Sequence, residues 1–398
     1  MRIGNHRIIP FMPQAPIKET LMWKTNVFIA YDGSEAREAV REYPRLSYQY
    51  SIPINAEFKR SHVYHSIYKG IAMNDWLIPI WSEFQYIGIS ADNKFYADTS
   101  AWSVKVGSLL FIVDWVKQQN FQISEVTAVS DTQVHLDGDM PSDMSRPIAM
   151  PVRVGYVTSA NLQTIGGFIG EASVSFTLSE LVEINTGEES IAYGAPVYND
   201  PYLIRGGVTK QIAQTVTTVD YGRLVARTER WSMPRQYYQM GFRQHNLRDH
   251  FCFRQFLHRQ RGREGVFWIP SFETDLVPVR DDTAIGTTLK VRDYSYSDTD
   301  EHRSCIAIKD VDNSWHYRKI TGQAVDAGVV SLTLDTALQL THNKINYISY
   351  MGKHRLSADR IQIEHGQGMT KECSLRVAEI DDGCGDSPFQ DGVIDGLN

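Results

Sequence analysis

Two stretches of this chain, offset by 190 residues, read as the same phrase: "PRLSYQYSIP" from Pro44 and "PRQYYQMGFR" from Pro234. Each alternates apolar and polar residues as a half-buried strand does. Each leads into a stretch with helical spacing, "HVYHSIYKGIA" (62–72) and "RDHFCFRQFLHRQRG" (248–262). In the first, Val63, Ile67 and Ile71 share a face; in the second, Phe253, Phe256 and Leu257 do, with Gly262 as a stop. "WLIPIW" and "FWIP" then read as strands that turn at a proline. Pro44 to Pro79 spans 35 positions and Pro234 to Pro270 spans 36. A period this long is not that of a solenoid but that of a domain.

The pattern predicts an α+β fold dominated by β structure. Two tandem similar units each run strand, helix, strand and continue into a small all-β module. Pro44, Trp76 and Pro79 in the first unit correspond to Pro234, Trp268 and Pro270 in the second, and these are the expected structural core of the repeats. The chain divides into an extended arm (1–30), a first unit (31–150), a connecting β segment and loop (151–213), a second unit (214–345), and C-terminal strands with an acidic, Gly-rich tail (346–398). The arm carries Pro10, Pro13 and Pro16 and little periodicity.

Chemistry is hard to find. The net charge of −7 argues against general nucleic-acid binding. Phosphate-binding glycine loops, nucleophile elbows and H-E-x-x-H zinc motifs do not occur. His245, His250, Cys252 and His258 are close in sequence, but His250 and His258 lie two helical turns apart and Cys252 is off their face. They read as no metal site. "DGDMPSD" and "DDGCGD" read as solvated turns rather than calcium loops. Glu83 and Glu273 occupy matching places and read as turn or salt-bridge residues. The arginines around Arg254 and Arg261 read as a helix face meeting an acidic neighbour. No catalytic residue, cofactor or membrane span is expected. The short "VGSLLFIVDWV" is the most apolar run.

The candidates that remain are Arg and Tyr residues: Arg45 with Tyr48, Arg235 with Tyr238, then Arg254 and Arg261. Such side chains are enriched at subunit interfaces, which makes them candidates for an assembly surface.

The opening segment, with Trp23, Thr25, Val27, Asp32, Gly33, Glu35, Arg37, Pro44 and Arg45, resembles the start of tail proteins of long-tailed bacteriophages. "FLHRQRGREGVFWIPSFETDL" and "RLSADRIQIEH" resemble later stretches of the same proteins. The nearest class is the distal tail, baseplate adaptor or minor tail protein. The resemblance implies a non-enzymatic virion protein of the tail tip, assembled in the host cytoplasm. It implies an adaptor ring between tail tube and hub or other baseplate proteins. The simplest members have one such unit. Two units per chain favour a ring of three copies over one of six. The alternative is a receptor- or carbohydrate-binding tail protein, with Trp102, Trp115 and Trp315 as stacking platforms.

Overall fold

The computed structural model describes residues 2–380 except 4–5, 31–33, 74–75, 92, 141–142, 185–189, 200–202, 214–215, 230–234, 295–303, 327 and 368–369. Strands are labelled in chain order: β1 (His6–Ile8), β2 (Gln14–Met22), β3 (Thr25–Ile29), β4 (Glu35–Ala39) and β5 (Arg45–Ile54) precede helix α1 (Glu57–Gly70). Then come β6 (Trp76–Pro79), β7 (Leu109–Asp114), β8 (Pro147–Gly166), β9 (Ile169–Leu178), β10 (Leu203–Ala213) and β11 (Arg235–Gln244), leading to helix α2 (Leu247–Gln260). Last are β12 (Phe267–Pro270), β13 (Cys305–Asp310), β14 (Ile345–Leu356), β15 (Arg360–His365) and β16 (Lys371–Glu379).

Alternation sets the strands. β5 turns Leu46, Tyr48, Tyr50, Ile52 and Ile54 inward, and β11 does the same with Tyr238, Met240 and Phe242. The helices obey their apolar stripes. Val63 and Ile67 of α1 are buried while Ile71, at its end, is exposed; Phe253, Phe256 and Leu257 of α2 are all buried. Asn246 caps α2 by accepting the Asp249 N–H at 2.8 Å. The helix stops as Arg261 and Gly262 both take positive φ.

The spine of the sheet runs β9, β5, β2, β15, β16, β11, β10, every neighbour antiparallel. β8 extends it beyond β9 and reaches β6 and β7, while β14 joins β16 and reaches β12 and β13. The N-terminal segment expected to form a loose arm supplies β2, at the middle of this spine. One core cluster contains Leu46, Tyr48 and Trp76 together with Phe253, Leu257 and Val377. Two smaller cores lie to the sides, one around Phe95, Trp102 and Leu110, the other around Leu289, Ile308 and Ile348.

This corrects the expected fold class. The chain is a β protein with two α-helices among the described residues, not α+β in two tandem strand–helix–strand units. Strands from both stretches join one hydrogen-bonded network of 23 strands and share one core. Each helix does lie between a ten-residue and a four-residue strand, which is why the sequence looks periodic. The supposed equivalences break down in detail. Trp76 is the first residue of β6, whereas Trp268 is the second residue of β12. With a side-chain period of two they take opposite orientations, and they fall in different core clusters. Arg45 is exposed and Arg235 buried. Pro44, Pro79 and Pro270 are buried; Pro234 lies outside the described residues.

The tightest joint lies just past α2. A Cβ at Gly262 would come within 2.5 Å of Asp359 Oδ1 and 2.8 Å of Trp23 Cβ, and φ there is +75°. Both space and backbone conformation demand glycine. Gly262→Ala is expected to cost at least ~1–3 kcal/mol of stability, read as a lowered urea midpoint; a wild-type midpoint would contradict the close approach.

Candidate functional site

Three groups of charged side chains lie where the N-terminal segment meets the rest of the chain. The deepest centres on Glu19, fully buried on β2 between β5 and β15. Its Oε1 accepts the Tyr48 hydroxyl at 3.2 Å and faces Arg254 Nη2 at 3.5 Å. Its Oε2 lies 2.8 Å from His365 Nε2 and 3.6 Å from His250 Nε2. Arg254 also donates through Nη1 to Glu83, which sits in the short turn Trp81–Glu83. Glu83 is fixed in turn: Ser103 donates its hydroxyl to Oε2 at 2.7 Å and Trp102 its indole N–H to the backbone carbonyl at 2.9 Å.

α2 supplies three of these polar groups. His250, Arg254 and His258 are spaced i, i+4, i+8 and project along the same side as Phe253 and Leu257, so all three are buried. Burial alone would raise the Glu19 pKa, but Arg254 and the two facing imidazoles hold it well below the usual carboxylate range. Burial works against the Arg254 charge, and Glu19 and Glu83 more than offset it, keeping the guanidinium ionised. Burial lowers His250, His365 and His258, the last to about 3 with a contribution from the Arg254 charge. Lys371, opposite His365 on β16, is pulled down to about 8 by burial. Glu19, Tyr48, His250 and Arg254 are each no more than 1% exposed, so this group is closed to a substrate. Glu19, His250 and His365 place three ligand atoms within 4.8 Å of one another, which is metal-ligand spacing.

The second group is a buried ion triad. Glu35 on β4 meets Arg235 of β11 at 2.7 Å and Arg355 of β14 at 2.6 Å and 3.0 Å. After the opposing effect of burial, the two arginines lower the Glu35 pKa. The third is a hydrogen-bonded knot around Asp359. Its carboxylate accepts the Thr25 N–H at 2.8 Å, the Thr25 hydroxyl at 2.9 Å and the Arg263 N–H at 3.0 Å, while Arg263 Nη2 donates to the Thr25 carbonyl at 2.7 Å.

These contacts account for most of the candidate assembly residues. Tyr48, Arg235 and Arg254 are taken up inside the chain. Tyr238 is buried, its hydroxyl donating to Gln236 at 2.8 Å. Arg261 is exposed and pairs with Glu264 at 2.7 Å. The expected partners, further copies in a ring together with tube, hub and baseplate proteins, relied on these Arg–Tyr pairs as junction anchors. Four of the six side chains face inward, so that assignment is corrected: the contacts they make are intramolecular. No helix of the described residues is long and apolar enough to cross a membrane. No protein-family model matches this sequence, and no curated protein matches it.

The sequence reading missed Glu19, His365, Asp359 and the Glu35–Arg355 pair because their partners are hundreds of residues away. One signal was present: the i, i+4, i+8 stripe of His250, Arg254 and His258 coincides with the apolar stripe of α2, and the matching stripe of α1 lacks it.

Removing one member of a buried ion group strands the others. Arg235→Ala is expected to cost roughly 3–5 kcal/mol, while Arg45→Ala, at an exposed position, stays within about 0.5 kcal/mol; urea unfolding of both variants checks the contrast. Acid sensitivity follows from the histidines. Below about 6.5, the ordinary histidine value, the unfolded chain takes up a proton that buried His258 refuses until about 3. Stability therefore falls as pH falls through that window, and Glu19 and Glu35 add to the loss below their unfolded value of about 4.5. His258→Gln should flatten the pH dependence of stability between these limits by up to about 1.4 kcal/mol per pH unit; an unchanged slope would count against a neutral, buried His258.

Proposed function

We propose that the chain is a structural, non-enzymatic component of a bacteriophage tail tip. The observation that carries this reading is the meeting of the three separate stretches on which the tail-protein resemblance rests. Trp23 and Thr25 of the first, Gly262 and Arg263 of the second, and Asp359 of the third form one knot. Glu35 of the first also grips Arg355 of the third. The motif residues thus act on each other rather than on a cleft. Motifs that hold distant parts of a chain together are what a scaffold requires, whereas motifs for catalysis would converge on an accessible cavity.

The receptor-binding alternative draws less support. Trp102 is buried, Trp115 packs between Phe84 and Tyr86 at ring distances of 5.6 Å and 5.7 Å, and the Lys309 ammonium covers Trp315 at 5.0 Å. A sugar-stacking platform needs a free ring face.

The deciding experiment is mass spectrometry of particles purified from the phage that carries this gene, with antibody labelling in the electron microscope. The protein is expected in intact particles, with label at the tail end. Its absence from purified particles, or cleavage of host cell-wall or capsule polymers by the isolated chain, would overturn the proposal.

A further inference from the structure

The Glu19 group has a feature that ion pairing leaves unexplained. Both ring nitrogens of His250, and Nδ1 of His365, are buried without a hydrogen-bond partner. Buried polar atoms in native proteins are overwhelmingly satisfied, and an orphaned imidazole in a sealed interior is costly. His250 Nε2 faces Glu19 Oε2 at 3.6 Å, beyond hydrogen-bond reach, while His365 Nε2 faces the same oxygen at 2.8 Å. Zinc held tetrahedrally at about 2.0–2.2 Å from nitrogen and oxygen sets its ligand atoms roughly 3.3–3.5 Å apart. The observed separations bracket that value.

We propose that Glu19, His250 and His365 bind one divalent transition-metal ion of the zinc type. The site ties β2 to β15 and to α2, three elements whose ligands are 231 and 115 residues apart in sequence. Two imidazoles and a carboxylate suit zinc, and their nitrogens bind in the neutral form that burial already favours. Glu19 divides its duties: Oε1 serves Tyr48 and Arg254, leaving Oε2 on the side of the two histidines. Two cations stand nearby. Arg254 is held by Glu83 through its other amino group, and Lys371 lies on the strand next to His365. The carboxylates of Glu19 and Glu83 balance Arg254 and contribute one further negative charge that a bound cation would neutralise. Among the described residues no fourth His, Cys, Asp or Glu joins the group. Its complete burial fits a role in holding the sheet together rather than in catalysis. The proposal is independent of the tail assignment.

The test uses the full chain without a polyhistidine tag. After equilibration with zinc chloride and gel filtration, elemental analysis should find one equivalent of zinc per chain. Cobalt(II) in its place should give the visible absorption of a low-coordinate site with nitrogen and oxygen ligands, and zinc should raise the melting temperature. His365→Gln and His250→Gln should weaken binding at least tenfold, and Cys252→Ala should not. Wild-type protein that retains neither zinc nor cobalt overturns the proposal. So does ion binding that both histidine variants leave unchanged, which would mark an adventitious surface ion. Because a histidine variant can fail to fold, the wild-type cobalt spectrum decides alone: octahedral, water-like absorption counts against the site.

Discussion

The fold depends on a carboxylate placed where carboxylates are seldom tolerated. Glu19 lies at 0% exposure in the middle strand of the sheet spine. Desolvating it is expensive, and only Arg254, Tyr48 and the two histidines make it tenable. Those groups come from α2, β5 and β15, so the charge is compensated only when all three elements are docked. The same holds at Glu35, whose two arginines belong to β11 and β14. A buried charge with partners from several elements penalises every arrangement that lacks one of them. Here it selects the register in which β2 lies between β5 and β15, which apolar packing alone specifies less sharply.

Part of this was legible in the sequence. Alternation in "RLSYQYSI" and "RQYYQMGF" located β5 and β11, and the stripes through Val63 and Ile67 and through Phe253 and Leu257 located both helices. Local periodicity reports which face of an element is buried, and it did so correctly there. It does not report what lies against that face. Equal strand and helix lengths suggested two self-contained units, yet the strand that separates and joins them comes from the first 22 residues. Three prolines made that segment look like an unstructured arm, although a strand needs only a partner on each side.

The charged sites show the same limit more sharply. Arginine at 235 and 254 was visible as a residue able to anchor something; whether the anchor point lay in another molecule or in the same chain depended on Glu35, Glu19 and Glu83, which are 200, 235 and 171 positions away. His250 was weighed only against its sequence neighbours Cys252 and His258, whereas its spatial neighbours are Glu19 and His365. Ligand sets spread over the whole chain leave no spacing to read.

The central place of β2 also has a consequence for how the chain comes to be folded. β5 follows β2 closely and can pair with it early in synthesis, but β15, which covers the other edge, emerges only when the chain is nearly complete. Until then β2 presents an open row of N–H and C=O groups together with an uncompensated carboxylate. Pairings of such long sequence separation form slowly, and an exposed strand edge is a template for the wrong neighbour. Glu19 gives the waiting strand a charge that resists association with a second copy, and the closing of β15 with His365 removes that resistance only in the correct partner.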